Sequence, residues 1–389
     1  MTRELVLVAN ARMPSQRAQS LQVAQVAASF ERAGHPTTLL HARRRDTPAT
    51  SAEALWDHYA VPAGPRPSVR AVSCVDWIDR VPRRWQYLPA RVQELTFSMS
   101  AAREVQRKHA EALVLSRELE TARALVRQRR KGVFLEVHRV PGGKLRRKWL
   151  LETAPGLAGV IAISGGVRGD LIQLGVPAGR ILVAHDGFEP SRFAKLPDRR
   201  AARQQLNLDL ERPVVVYTGG LLVWKGVELL VESARALPDV QVVIAGGMAA
   251  DVARIERLAQ GIDNLRVDGF QPPDRIGVYL AAADIGVVPN RSTPAISSRY
   301  TSPLKVFEAM AVGLPLVVSD LPSLREILSH DVDAWLVPPD TAAELTRGIK
   351  ALLDDPERRQ RLGAALAAHG VDYDWGARAR RMLDWMLAR

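Results

Sequence analysis

The feature that most constrains the fold is an alternation of short apolar runs with helical patterns, occurring twice along one chain of 389 residues. Leu5-Val6-Leu7-Val8-Ala9 reads as a buried strand and residues 10–19 as a polar loop; Val23, Val26, Ala27 and Phe30 then recur at helical spacing before Gly34. Further strands are predicted at Thr37 to His41, Leu113 to Leu115, Val133 to Val137, Gly159 to Ile163 and Ile181 to Ala184. The pattern restarts with Pro213 to Tyr217, Val240 to Ala245, Leu265 to Val267, Asp284 to Val288, Leu316 to Ser319 and Ala334 to Val337. Strands that are apolar throughout, rather than alternating, belong to parallel sheets covered by helices on both faces. At roughly 100 to 200 residues per domain the length accommodates two such sheets.

Two stretches break the rhythm. Residues Asp76 to Lys108 interleave Trp77, Trp85, Tyr87 and Phe97 with arginines, which reads either as a basic amphipathic face for anionic lipid or as a core helix pair with an ordinary basic exterior. Pro190 to Asn207 reads as a linker with a short solvated helix, and Trp375 to Leu387 as a last helix with one buried face. With 25% charged and 47% hydrophobic residues the chain is neither disordered nor membrane-embedded, and its apolar runs fall short of the roughly 18 residues a bilayer span needs. A lone Cys74 and an opening, Met1 to Glu4, without the apolar core of a secretory signal set the cytoplasm as the expectation. The formal charge of +12 admits an anionic partner, yet the basic residues are scattered without a nucleic-acid motif, so no specific nucleic-acid partner is expected.

Chemistry concentrates in the second half. The strand ending at Tyr217 runs into Thr218-Gly219-Gly220-Leu221 and then Trp224-Lys225-Gly226; glycines at a strand's carboxyl end allow close backbone approach to a ligand, and Lys225 could neutralise a phosphate. Ser302-Pro303 reads as an N-cap with proline at the first helical position, opening a helix from Leu304 to Ala311 whose free amides would face an anion beside Lys305. Glu308 lies six residues beyond that cap, roughly 9 Å along the axis, within reach of a ribose when a diphosphate sits at the helix start.

The succession Gly219-Gly220-Leu221-Leu222-Val223-Trp224-Lys225-Gly226, Ile244-Ala245-Gly246-Gly247, Val267-Asp268-Gly269-Phe270, Ala283-Asp284-Ile285-Gly286-Val287-Val288-Pro289, Ser302-Pro303-Leu304-Lys305-Val306-Phe307-Glu308 and Val318-Ser319-Asp320 resembles the GT4 family of retaining glycosyltransferases over Pro213 to Pro339. More loosely, Met13-Pro14-Ser15-Gln16-Arg17 resembles the loop that faces the donor diphosphate, Leu115-Ser116-Arg117-Glu118 a mid-domain strand end, and Glu136-Val137-His138 the place of a histidine near the transferred sugar.

The resemblance implies an α/β chain of GT-B architecture, two Rossmann-like doubly wound domains facing a cleft. The expected boundaries are an acceptor-binding domain over 1–188, a nucleotide-sugar-binding domain over 189–370 and a closing helix over 371–389 that packs back on the first. It places Lys225 and the amides near Leu304 and Lys305 on the diphosphate, Glu308 on the ribose, Gly269-Phe270-Gln271 beside the base and His138 at the sugar. It further implies sugar transfer with retention and without a metal or bound cofactor, from a donor such as a UDP- or GDP-sugar to a sugar or lipid-linked acceptor, in bacterial glycan or polysaccharide synthesis. The site would be cytoplasmic or peripheral on the inner face of the membrane.

Two departures stand out. Gly220 occupies a position where the family commonly has an arginine, a charge Arg17 or Lys305 could supply, and Tyr300 stands eight residues before Glu308 where the family has a second glutamate. A nucleotide-sugar-binding protein without transferase activity, or a sugar-nucleotide 2-epimerase, are the alternatives.

Overall fold

The computed structural model describes residues 3–45, 47–48 and 50–389; Met1 and Thr2, where the expectation about a leader begins, lie outside the described residues. The chain divides into two units, one comprising Met1–Ile163, Val167–Ala184 and Trp375–Arg389, the other Ser164–Gly166 and His185–Asp374.

The first unit is built on seven strands: β1 (Leu5–Ala9), β2 (Thr37–Arg43), β3 (Ser68–Ser73), β4 (Leu113–Ser116), β5 (Val133–Val137), β6 (Gly159–Ala162) and β7 (Ile181–Val183). All pair in parallel, in the order β3-β2-β1-β4-β5-β6-β7. Every residue of β1, β4, β5 and β6 is buried, as a sheet covered on both faces requires. The sequence reading lacked β3, an edge strand of which only Val72 is buried, and so without the apolar run that marks the others. The irregular segment resolves into two 3-10 turns and one helix, Tyr87–Lys108, whose buried side chains Gln93, Phe97, Ala101 and Val105 repeat every four residues. Phe97 is therefore core, while Trp77, Trp85, Tyr87 and Leu88 remain exposed. The closing helix Trp375–Leu387 packs on the helix Ala18–Arg32, burying Met382, Leu383 and Met386 and setting Trp385 5.8 Å from Phe134.

The second unit has six parallel strands, β8 (Val214–Thr218), β9 (Gln241–Ala245), β10 (Leu265–Gly269), β11 (Ile285–Val288), β12 (Leu316–Ser319) and β13 (Trp335–Val337), in the order β10-β9-β8-β11-β12-β13. Each run read from sequence in this half is a strand. The stretch Pro190 to Asn207, expected as a linker with a solvated helix, is instead integral to this unit. Phe193, Ala202 and Leu206 enter its core, and Arg203 of the helix Arg199–Gln205 is buried against Asp284 at 2.7 Å, with further bonds to the carbonyls of Ala282 and Leu210.

In both sheets the chain first adds strands on one side of its opening strand and then returns to add the rest on the other. The carboxyl ends on either side of that reversal, β1 and β4 in the first unit and β8 and β11 in the second, are where doubly wound folds form a crevice for ligands.

Candidate functional site

In the second unit the candidate residues gather at this reversal. Gly219, just past β8, has φ +123° and donates its N–H to the Ala245 carbonyl at 2.8 Å; Gly246, past β9, has φ +125° and donates to the Gly269 carbonyl at 2.6 Å. A side chain at Gly246 would lie 2.2 Å from the Gly219 carbonyl oxygen, so the glycines let two strand ends close on each other and leave a floor of bare backbone. The phenol of the buried Tyr217 donates to the Gly220 carbonyl at 2.6 Å and fixes the turn.

Lys305 stands over this floor. Its residue is 8% exposed, its Nζ lies 3.3 Å from the centre of the Tyr217 ring, and the ammonium has no hydrogen-bond partner among the described residues. Burial pushes its pKa well down and the nearby Lys225 pushes it further, with Glu308 opposing. Lys225 ends the 3-10 turn Val223–Lys225, packs its Nζ 4.1 Å from the Trp224 ring, and is lowered by burial to about 8. Two neighbouring ammonium groups lowered by burial, neither paired with a carboxylate among the described residues, make a place for an anion. Asn290, two residues past β11, is fully buried with neither amide atom bonded, a second polar group at the same strand ends without a partner among the described residues.

The helix over this site runs Leu304–Val312, and Ser302 is not its cap. Pro303 occupies the N-cap, no side chain caps the helix, and the Ser302 hydroxyl accepts from the Asp186 N–H at 2.8 Å, a loop contact invisible to a local capping rule. The first-turn amides of Leu304 and Lys305 are thus left without a side-chain partner, a favourable seat for negative charge. Glu308, 8% exposed, has Oε1 3.4 Å from Arg192 Nη2, a partner 116 residues away that the sequence reading missed. Gly269 ends β10 with φ +63°, Phe270 is 36% exposed, and the Gln271 amide donates to the Asp268 carbonyl at 2.9 Å.

Ser15, Arg17 and His138 belong to the first unit. The Ser15 N–H donates to the Tyr59 hydroxyl at 2.8 Å, and Arg17 is the uncapped N-cap residue of Ala18–Arg32 with an exposed side chain. His138 follows β5 with Nε2 2.6 Å from Glu136 Oε1 and 2.8 Å from Arg117 Nη2. Glu136 is almost wholly buried, and its other oxygen meets Arg378 of the closing helix at 3.2 Å. Burial alone would raise the Glu136 pKa, but Arg378 first, and then the close His138 ring and Arg117, hold it far below the usual carboxylate range. His138 is lowered to about 4, by burial first and then by Arg117, against the pull of Glu136.

Two doubly wound units, the second with bare-backbone glycines and an unpartnered lysine at its strand reversal, give an α/β protein of the GT-B fold, and similar solved structures agree on that fold. Anabaena Alr3699/HepE in complex with UDP-glucose has a TM-score of 0.74 at 17% identity over 100% of both chains, and sucrose-phosphate synthase from Thermosynechococcus elongatus 0.77 at 20% over 99% and 98%. Residues 198–368, most of the second unit, match the family model described as Glycosyl transferases group 1. The D-inositol 3-phosphate glycosyltransferase of Xylanimonas cellulosilytica is 30% identical over 228 residues, 55% of this chain and 53% of that protein. The chain spans about half the length of the curated relatives it matches.

Proposed function

We propose that this protein is a glycosyltransferase of the GT4 kind, moving a hexosyl group with retention and without a metal from a nucleotide-diphosphate sugar to a sugar or lipid-linked acceptor in bacterial glycan synthesis. The observation that carries the reading is the buried, unpartnered Lys305 ammonium beneath an uncapped helix start and beside Lys225. In the transfer the anomeric carbon–phosphate oxygen bond breaks, the acceptor oxygen bonds the same carbon from the same face, and the acceptor's proton passes to the departing phosphate oxygen. Charge grows on that diphosphate, and Lys225, Lys305 and the amides of Leu304 and Lys305 meet it without reorganising. Glu308 accepts from the ribose hydroxyls, Gly269, Phe270 and Gln271 flank the base, and Gly219 and Gly220 give the phosphates bare backbone. In the first unit His138 is assigned to the sugar, and Ser15 and Arg17 to the donor.

A thermal-shift panel of UDP, GDP, ADP, TDP and their sugars tests this, with UDP first because the Anabaena protein holds UDP-glucose. At a hundred times its dissociation constant the right nucleotide adds about 2.7 kcal/mol of stability. The shift is expected to vanish in Lys225→Ala and Glu308→Ala. A shift that both variants keep would move the site elsewhere, and nucleotide-sugar binding without turnover on any acceptor would favour the binding-protein reading that Tyr300 suggests.

The acceptor side includes a surface for anionic lipid. Trp77, Trp85, Tyr87 and Leu88 are 52%, 66%, 79% and 68% exposed beside the exposed Arg80 and Arg84, and no helix among the described residues is long and apolar enough to cross a membrane. Aromatic rings suit the interface, and each nearby arginine adds about 1 kcal/mol on an anionic surface. Co-sedimentation with phosphatidylserine vesicles is expected to exceed that with phosphatidylcholine about tenfold and to drop in the double variant Trp85→Ala/Tyr87→Ala. Equal binding to both vesicles would remove the lipid surface from the proposal.

A further inference from the structure

The two contacts of His138 fall on the same ring nitrogen. Arg117 only donates, so its 2.8 Å approach requires a lone pair on Nε2; Glu136 as a carboxylate only accepts, so its 2.6 Å approach requires a proton there. One protonation state cannot satisfy both neighbours, and the side that wins depends on how much of the Glu136 charge is already engaged. The closing helix decides this. Arg378, 1% exposed and 242 residues away in sequence, places Nη2 3.2 Å from Glu136 Oε2 and 3.4 Å from the Ala184 carbonyl, while its guanidinium carbon lies 5.6 Å from the centre of the Trp375 ring. Arg117 is itself held by the Gln22 amide oxygen at 2.9 Å, with its Nε 3.6 Å from Glu136 Oε1. The charged groups facing the histidine are therefore Glu136 from its own strand, Arg117 beyond β4 and, through Glu136, Arg378.

We infer that Arg378 is a positioning residue for His138: by engaging the far oxygen of Glu136 it weakens that carboxylate's hold on an Nε2 proton, so that the ring stays neutral with its Nε2 lone pair turned to Arg117. The closing helix thus sets the proton state of a group at the end of β5. The inference rests on the proposed function only for its consequence in catalysis, since the proton state is a property of the chain itself.

Histidine titration by NMR on the full chain, with ¹⁵N shifts reporting which ring nitrogen carries the proton, measures this directly. In Arg378→Gln the His138 titration is expected to move up by about one pH unit or more and the neutral ring to shift toward the Nε2–H form. Arg378→Lys, which keeps the charge, is expected to hold most of the native value. If Arg378→Gln fails to fold, Glu136→Gln/Arg378→Gln removes the buried charge along with its partner, and His138 there should titrate no higher than in the native chain. A titration unchanged in Arg378→Gln, shifted as far in Arg378→Lys, or raised in the double variant would overturn the inference. The acid limb of the pH profile for UDP-glucose turnover separates the two claims. If it moves with the titration, His138 acts in the reaction; if the titration moves and the limb does not, Arg378 still positions His138 and the catalytic assignment of the histidine falls.

Discussion

Replacing Lys305 with methionine lowers turnover by about 10²- to 10³-fold, the usual cost of removing one preorganised charge donor, and leaves the melting temperature unchanged or raised. The two effects part because the ammonium has no hydrogen-bond partner among the described residues: it is buried and offset by the Tyr217 ring and the field of Glu308. Methionine fills similar volume without a charge to desolvate. The same physics gives a pH dependence. Burial lowers both pKa values, Lys225 to about 8, and the field of Lys225 lowers Lys305 further. A bound diphosphate reverses that field and raises them, so binding takes up protons, and affinity falls as pH rises through and above about 8. Calorimetry in buffers of different ionisation enthalpy should show uptake near pH 8 in the native chain and less in Lys305→Met. Turnover within twofold of native in Lys305→Met, or a lowered melting temperature, would place the anion elsewhere and make Lys305 a structural residue.

The twofold rhythm of strands was legible because most of these parallel strands are built on an unbroken run of apolar residues, and that pattern survives without knowledge of partners. What escaped depended on contacts distant in sequence or on small buried faces. The edge strand β3 alternates Val69, Ala71 and serine with an arginine, so no run marks it. The helix Tyr87–Lys108 buries Gln93, Ser98, Ala101 and Ala102 as well as Phe97, and its loud aromatics sit before or at its start, on the outside. Its four-residue repeat at 93, 97, 101 and 105 was the available signal. Within the site, Lys225, Lys305 and Glu308 were found as residue types in a spaced series, and a lysine and a glutamate in an otherwise apolar run, Val306-Phe307 and Ala309-Met310, already hinted at burial. The partners that tune the site, Arg192 for Glu308 and Arg378 for Glu136, come from 116 and 242 residues away, and nothing local to either glutamate announces them. Ser302 shows the opposite error: a local capping rule assigned it a neighbour's amide, and a loop residue more than a hundred positions earlier took its hydroxyl instead.

The misread stretch before the second sheet leads to the other large effect, which falls on stability. Asp284→Ala is expected to destabilise the second unit by about 3–5 kcal/mol, the range for a buried ion pair stripped of one partner. Asp284 Oδ2 receives both the Arg203 guanidinium at 2.7 Å and the Val214 N–H at 2.8 Å, while Oδ1 meets the more exposed Arg199 at 3.1 Å. Its loss therefore leaves a buried cation uncompensated and opens the first backbone donor of β8 at the place where β8 joins β11, Ile285 pairing with Val215. Those two strands bound the reversal, with Gly219 past β8 beside Lys305 and Asn290 past β11, so the damage should reach nucleotide affinity as well as unfolding. Asp284→Asn keeps an acceptor for Val214 and should cost less than alanine; the double change Arg203→Met/Asp284→Ala, which removes the stranded cation, should recover part of the loss. Hydrogen exchange of the β8 and β11 amides in native conditions reads the effect locally, which matters in a two-unit chain whose global melt need not be two-state. Protection of those amides within about 1 kcal/mol of native in Asp284→Ala would mean that the helix Arg199–Gln205 is held by Ala202 and Leu206 alone, with the ion pair incidental.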